Sequence, residues 1–128
     1  MDRRFLIDTN VIIYYLNDEI PANHESALLE IFQNSFNIST ITHIEVLGWH
    51  LLDGDKRAEA EEFLENANTI FVDEAIQKKT IELKKKKRMK TPDAIIGATA
   101  IVYDLTLVTR NEIDFKHIKE ISIYNPFK

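Results

Sequence analysis

Short apolar runs alternate with longer amphipathic stretches along the chain. Five runs rich in β-branched and aromatic residues are typical of buried strands: RFLI (4–7), FNIS (36–39), TIFV (69–72), LTLVT (105–109) and ISIY (121–124). This alternation predicts an α/β fold, a three-layer α/β/α sandwich with a five-stranded, mainly parallel sheet.

The stretches between the strands carry apolar residues three and four positions apart, which predicts helices with one buried face. They are VIIYYLN (11–17), NHESALLEIFQNS (23–35), HIEVLGWHLLD (43–53), KRAEAEEFLENA (56–67), DEAIQKKTIELKKKK (73–87) and PDAIIGATAIVYD (92–104). A chain of 128 residues with only three Gly and three Pro offers no obvious linker, so we expect a single domain over residues 1–128.

Composition limits the possible chemistry and location. The chain has no cysteine, which excludes disulfides, thiolate metal sites and cysteine nucleophiles. No apolar run approaches the ~20 residues of a membrane span, and MDRRFLIDTN lacks the apolar core of a signal peptide. We therefore expect a cytoplasmic protein.

The net charge of −5 conceals a strong asymmetry. Residues 78–90, KKTIELKKKKRMK, contain eight Lys or Arg and one Glu. A lysine run of this kind is usually a solvated helix end whose cations suit the helix dipole. Its meaning depends on what lies beside it.

Four acidic residues follow predicted strands or open the helices next to them: Asp8, Glu45, Asp93 and Asp114. In open parallel sheets, ligands bind outside the carboxyl ends of the strands, where each strand turns into a helix. The four carboxylates are therefore expected to converge at one edge of the sheet.

Each acid also has a purely structural interpretation. Thr42 with Glu45 matches a capping box, which places Glu45 in the first turn of its helix. Asp93 follows a threonine cap and a proline, at a position where negative charge suits the helix dipole. Asn111 with Asp114 matches a further cap, and Asp8 is suited to open the first helix. These interpretations leave unexplained why all four acids fall at the same edge of the predicted sheet.

Clustered carboxylates repel each other, by about 4 kcal/mol for a pair ~4 Å apart at an effective dielectric near 20. A cation is therefore expected among them. Oxygen ligands without nearby Cys or His favour Mg²⁺ or Mn²⁺, which can activate water and support attack on a phosphodiester.

The segments FLIDTNVII, STITHIEVLGW, KTPDAIIGATA, LVTRNEIDFKHI and ISIYNP resemble the PIN-domain nucleases, and most closely their VapC-type toxin ribonucleases. The resemblance covers nearly the whole chain. It implies a metal-dependent endoribonuclease that acts as the toxin of a VapBC-type pair, with Asp8, Glu45, Asp93 and Asp114 as catalytic and metal-binding residues. The polar residues that match the family's supporting positions are Thr9, Asn10, Thr109 and Asn111.

The resemblance also implies an RNA substrate, a cognate antitoxin and a homodimer. In this context the lysine run leads directly to Asp93 and is better explained as substrate contact, because cations offset the repulsion between an acidic site and a polyanion. The predicted RNA-binding residues are Lys84, Lys85, Lys86, Lys87, Arg88 and Lys90. VIIYYL (11–16) and VLGWHLL (46–52) are candidate surfaces for the protein partners.

Other functional classes fit less well. A receiver domain needs adjacent acids after the first strand, a haloacid-type phosphatase needs D-x-D where this chain has DTN, and a zinc deaminase needs cysteine ligands. A non-catalytic RNA- or protein-binding module, in which the acids serve only as helix caps, stays open as the alternative.

Overall fold

Five parallel strands form the centre of the structure, a computed structural model that describes residues 4–49 and 52–128. The strands are Phe5–Ile7 (β1), Asn37–Ser39 (β2), Asn68–Ile70 (β3), Thr106–Val108 (β4) and Ile123–Tyr124 (β5). They lie in the order β3-β2-β1-β4-β5, and each neighbouring pair is parallel. The predicted five-stranded α/β sheet is confirmed, and it is parallel throughout.

Seven helices in the described part of the chain connect or flank these strands. They are Thr9–Leu16 (α1), Ala22–Asn34 (α2), Thr40–Leu47 (α3), Gly54–Leu64 (α4), Glu74–Lys86 (α5), Thr91–Val102 (α6) and Glu112–Phe115 (α7). Of these, only the four-residue α7 has no counterpart among the predicted helices.

Alternate strand residues point to opposite faces of the sheet, so consecutive apolar residues supply two separate cores. Ile7 and Val108 pack in one core with residues of α1 to α4. Leu6 and Leu107 pack in the other with residues of α5, α6 and α7. All four side chains are fully buried, which explains why the strands are continuous apolar runs and why the sandwich has three layers.

Two predicted helix boundaries are wrong because other residues begin or end the helix. Helix α3 begins at Thr40, since Ser39 Oγ accepts a hydrogen bond from the backbone N–H of Ile41 at 3.1 Å. Glu45 therefore lies in the second turn, not the first, and Thr42 is a buried helical residue instead of a cap. The same helix ends at Leu47, although the sequence predicted helix to residue 53, of which residues 50 and 51 lie outside the described part.

The predicted threonine cap before Asp93 is also wrong. Thr91 is the first residue of α6, and Lys90 occupies the cap position without a side-chain hydrogen bond. Pro92, at the second helical position, leaves no backbone donor unsatisfied there, because the first-turn N–H groups have no partner within the helix.

The two candidate partner surfaces differ in what the fold leaves exposed. In the segment 11–16, Val11, Ile12 and Leu16 are buried in the first core, so only Ile13, Tyr14 and Tyr15 are partly accessible. The segment 46–52 includes residues 50 and 51, which lie outside the described residues. None of the helices described is long and apolar enough to cross a membrane.

The strand order reverses beside β1, because β2 and β3 follow on one side of it while β4 and β5 lie on the other. At such a switch point the connections leave the sheet in opposite directions and open a crevice at the carboxyl ends. The carboxyl ends of β1 and β4 are followed by Asp8 and Thr109.

Replacing Gly97 by Ala is expected to stabilise the protein. A Cβ at Gly97, in α6, would lie 3.5 Å from Ile118 Cδ1 and 3.7 Å from both Leu83 Cδ1 and Phe115 Cδ1, which are ordinary van der Waals distances. Because glycine disfavours helix interiors, the free energy of unfolding should rise by roughly 0.5–1 kcal/mol in urea titration. A fall of similar size would mean that α6 packs too tightly to accept a methyl group.

Candidate active site

Asp8 is a buried carboxylate at the switch point. It follows β1, caps α1, and is 4% exposed. Its Oδ1 accepts a hydrogen bond from the backbone N–H of Thr9 at 2.8 Å. Its Oδ2 accepts from the side chains of Asn10 at 2.9 Å and Thr109 at 2.8 Å. Three donors from two strand ends therefore hold one carboxyl group in a fixed orientation.

Thr109 and Asn10 also join the two loops on either side of the switch point. The Thr109 hydroxyl accepts from the backbone N–H of Asn111 at 3.0 Å, and the backbone N–H of Arg110 donates to Asn10 Oδ1 at 3.3 Å. The four predicted supporting residues thus lie in one network around Asp8. The side chain of Asn111 makes no cap hydrogen bond to α7, so Asn111 enters the network through its backbone.

Glu45 reaches this network through Thr9. Glu45 lies on α3, and its Oε1 is 2.7 Å from the Thr9 hydroxyl, which also lies 3.1 Å from the hydroxyl of the buried Thr42. A hydroxyl has only one proton, so Thr9 donates to the carboxylate and accepts from Thr42. The Glu45 side chain is therefore oriented, although the residue itself is exposed.

Asp93 and Asp114 approach from the other side of the sheet. Asp93 lies in the first turn of α6 and is partly exposed, whereas Asp114 lies on the short α7 and is exposed. Both helices belong to the second core, while Asp8 and Glu45 lie on elements of the first. The four predicted acids therefore come from four separate segments and from both faces of the sheet.

Asp8 and Asp93 lie near enough to other acids for the neighbouring charges to raise their pKa values. Burial raises the pKa of Asp8 to about 6, more than the hydrogen bonds from Thr109 and Thr9 lower it, and the charges of Asp93 and Glu45 raise it further. Burial also raises the pKa of Asp93, as do the charges of Asp114 and Glu45, against the opposing charge of Lys90. The Asp8 shift from 3.8 corresponds to roughly 3 kcal/mol against the ionised form.

The donor set fits a hard divalent cation. No three Asp, Glu or His side chains among residues 4–49 and 52–128 form a ready-made metal site. Mg²⁺ and Mn²⁺ do not require one, because they bind through one or two carboxylates and keep several waters. Within the described residues, none of the four acids forms a salt bridge, so their mutual repulsion is not neutralised by lysine or arginine contacts.

The predicted RNA-binding cations lie at the end of α5 and in the loop to α6. Lys84 Nζ donates to Thr91 Oγ1 at 2.6 Å and to the backbone oxygen of Met89 at 3.4 Å, so it also supports the start of α6. Lys86 Nζ forms a salt bridge with Glu82 Oε1 at 3.6 Å. Lys85, Lys87, Arg88 and Lys90 are exposed, and the charge of Lys90 acts on Asp93.

The contacts of two residues in this region, Thr42 and Arg110, were not predicted from the sequence. Thr42 was interpreted as a cap, but its hydroxyl contacts that of Thr9 because α3 begins three residues earlier than predicted. Arg110 was not predicted at all; its guanidinium lies over the rings of Tyr14 and Phe127. Its position between Thr109 and Asn111 was the available signal.

A family model described as the PIN domain matches residues 5–121. No curated protein sequence matches the chain significantly. Among solved structures, a chain of a toxin-antitoxin complex from Klebsiella pneumoniae is 30% identical, with a TM-score of 0.78, and the match covers 97% of this chain and 98% of that one.

Two further solved structures have the same fold over nearly their whole length. A chain of FitAcB from Neisseria gonorrhoeae is 25% identical with a TM-score of 0.75, covering 95% of this chain and 97% of that chain. A chain of the DNA-bound VapBC from Salmonella typhimurium is 21% identical with a TM-score of 0.78, covering 98% and 99%. At 21% identity the second likeness concerns the fold alone.

Replacing Thr109 by Val should destabilise the protein more at neutral than at acidic pH. The variant loses a donor to Asp8, which raises the pKa of that carboxyl group beyond about 6. With a raised pKa, Asp8 of the folded variant keeps its proton to higher pH. The loss of unfolding free energy caused by the missing donor therefore appears only as pH rises and Asp8 ionises. We expect a loss of about 1–3 kcal/mol at pH 8 and less near pH 5, measured by urea unfolding in EDTA.

Thr99→Val is the matched control for this measurement. Thr99 is also fully buried, but its hydroxyl donates to the backbone oxygen of Ile95 at 2.7 Å and to no carboxylate among the described residues. Its cost should not change with pH. Parallel pH profiles for the two variants would contradict the role assigned to Thr109.

Proposed function

This chain belongs to the PIN-domain family, and on that premise we propose that it is a metal-dependent endoribonuclease, the toxin of a VapBC-type toxin-antitoxin pair. The single observation that carries the proposal is that the charges of Glu45 and Asp93 act on Asp8 at the switch point, and that the charges of Asp114 and Glu45 act on Asp93, with raised pKa values for Asp8 and Asp93. Repelling carboxylates of this kind are typical of sites that bind a metal ion.

Asp73 and Asp8 both cap helices, but their surroundings affect the charge of the carboxyl group in opposite ways. Asp73 caps α5 and accepts a hydrogen bond from Tyr103, which follows the C-terminal end of α6, whereas Asp93 lies in the first turn of α6. The hydrogen bonds from Tyr103 and from the backbone N–H of Ile76 lower the pKa of Asp73. Asp8 caps α1, yet its pKa is raised by burial and by neighbouring acids. A helix cap needs only hydrogen bonds that stabilise its charge, as at Asp73. Burial and neighbouring acids oppose the charge of Asp8, which supports a function for Asp8 beyond capping.

Each proposed site residue has a distinct task in this function. Asp8, Asp93, Asp114 and Glu45 would hold Mg²⁺ or Mn²⁺, which when bound polarises a phosphodiester and lowers the pKa of water for in-line attack. Thr109, Asn10 and the backbone of Asn111 keep the Asp8 carboxyl group in place, and Thr9 orients Glu45.

The proposed partners follow from the relatives. The Klebsiella pneumoniae structure is described as a toxin-antitoxin complex, and the proposal extends an antitoxin partner to this chain. A homodimer and a cytoplasmic location, where the chain would meet cellular RNA, belong to the same proposal. The alternative, a binding module whose acids only cap helices, predicts no RNA cleavage and no metal dependence.

Asp93→Asn is expected to abolish RNA cleavage while the fold survives. The substitution keeps the size of the side chain but removes one ligand charge, so metal-dependent hydrolysis should fall by at least about a hundredfold. The assay is cleavage of a mixed RNA pool with Mn²⁺, with EDTA as a control, and circular dichroism checks the fold.

Asp73→Asn is the matched control, because it removes an aspartate at a helix N-terminus away from the cluster. It should lower stability and leave the cleavage rate per folded molecule unchanged. Full activity of Asp93→Asn, or wild-type activity in EDTA, would contradict the nuclease assignment and favour the binding module.

Removing lysines from the run that precedes Asp93 in sequence should weaken RNA binding in a salt-dependent way. We expect the double variant Lys85→Gln, Lys87→Gln to bind RNA more weakly and to lose about 0.7 from the slope of log affinity against log salt for each phosphate contact removed. Arg4→Gln with Lys119→Gln, which removes two exposed cations outside residues 78–90, is the control. Equal effects of the two double variants would show that only net charge matters.

A further inference from the structure

Arg110 is held between two aromatic rings beside the acidic cluster. Its guanidinium carbon lies 4.9 Å from the centroid of the Tyr14 ring and 4.5 Å from that of Phe127. The two rings contact each other edge to face, with centroids 4.9 Å apart. A guanidinium stacked in this way keeps its hydrogen-bond donors at its rim available for a ligand.

The C-terminal residues are fixed in the position that completes this stack. Glu112 Oε2 accepts hydrogen bonds from Asn125 Nδ2 at 2.9 Å and from Lys128 Nζ at 2.8 Å. The backbone N–H of Phe127 donates to Asn125 Oδ1 at 2.9 Å. The Phe127 ring is therefore anchored on both sides, and its contact with Arg110 is part of the folded structure.

The stack flanks the acidic cluster without entering it. The backbone N–H of Arg110 bonds to Asn10, whose side chain bonds to Asp8. Tyr14 lies about 9 Å along the α1 axis from Asp8, at the 1.5 Å rise per residue of an α-helix. A molecule bound at Asp8 and extending past α1 would meet the guanidinium of Arg110.

Arg110 has no carboxylate partner among the described residues, and it is exposed. The carboxylate closest to it in sequence, Glu112, is occupied by Lys128 and Asn125. The protein thus restricts the motion of a long cationic side chain without neutralising it. This arrangement lowers the entropy lost when the guanidinium binds an anion and leaves its charge for that anion.

We propose that Arg110 binds a backbone phosphate of the RNA substrate beside the cleavage site, and that Tyr14 and Phe127 are positioning residues for it; the inference rests on the proposed nuclease function. Lys90 lies near Asp93 on one side of the cluster, and Arg110 follows Thr109 on the other. A polyanion crossing the acids would then contact a cation on each side of them.

The test measures binding of a short fluorescein-labelled single-stranded RNA by anisotropy, in EDTA and in an Asp93→Asn background that prevents cleavage. Arg110→Gln is expected to weaken binding roughly threefold to tenfold and to reduce the salt slope by about 0.7, the value for one phosphate contact on a single strand. Phe127→Leu keeps the charge and removes the ring, so it should weaken binding less and leave the salt slope unchanged.

Arg4→Gln is the matched control. Arg4 is also exposed and undergoes the same change of charge, but it precedes β1 and therefore lies at the opposite edge of the sheet. It should change the RNA affinity by less than a factor of about two. Arg110→Lys, which retains the charge without the planar fork, should fall between the wild type and Arg110→Gln.

Cleavage kinetics with Mn²⁺ in the Asp93-containing protein provide a second readout. A phosphate contact made equally in the ground state and the transition state raises KM and leaves kcat nearly unchanged in Arg110→Gln. If the wild type cleaves RNA while Arg110→Gln binds and cleaves like Arg4→Gln, the inference is wrong and the proposed function stands. If the wild type neither binds nor cleaves RNA, both are wrong.

Discussion

The burial of the Asp8 carboxylate is the constraint on which the site depends. An ionised carboxyl group at the edge of a core is costly, and it is tolerated here because Thr9, Asn10 and Thr109 donate to it. Thr109 follows β4, so its hydrogen bond links the ends of β1, the central strand, and the neighbouring β4. The geometry of the crevice and the orientation of its first acid are therefore fixed by the same contacts.

Asp8 differs from other helix caps in this chain, and the difference supports a functional role for Asp8. Ser39, Asp53 and Asp73 cap helices by accepting hydrogen bonds from backbone N–H groups two or three residues on, so each cap contact is local. Asp8 makes a cap contact as well, but its surroundings oppose its charge. Burying an ionised carboxyl group lowers stability, and a folded chain retains such a group when function requires it at that position. For Asp8 the proposed requirement is the binding of a cation.

The distribution of charge explains how an acidic chain could bind the polyanionic substrate that we propose. The net charge of −5 would oppose RNA at a distance. The proposed contacts act locally instead, because Lys90 lies beside Asp93 and Arg110 lies beside Asn10. Lys84 supports the loop that leads to Asp93, so the lysine run combines a structural task with the proposed electrostatic one.

The sequence by itself determined the strands, the α/β class and the PIN-domain resemblance, because apolar runs, amphipathic stretches and acids after strands are local patterns that can be recognised without knowledge of the fold. It also identified Asp8, Glu45, Asp93 and Asp114, as candidates only. It misplaced the start of α3, because Ser39 and Thr42 are equally good caps until the pairing of β2 shows where the strand ends. Strand order, the contact between Thr109 and Asp8, and the stack of Arg110 with Phe127 were decided only by tertiary structure. These contacts join residues about a hundred positions apart or close onto the C-terminal segment, and no local pattern encodes such distances.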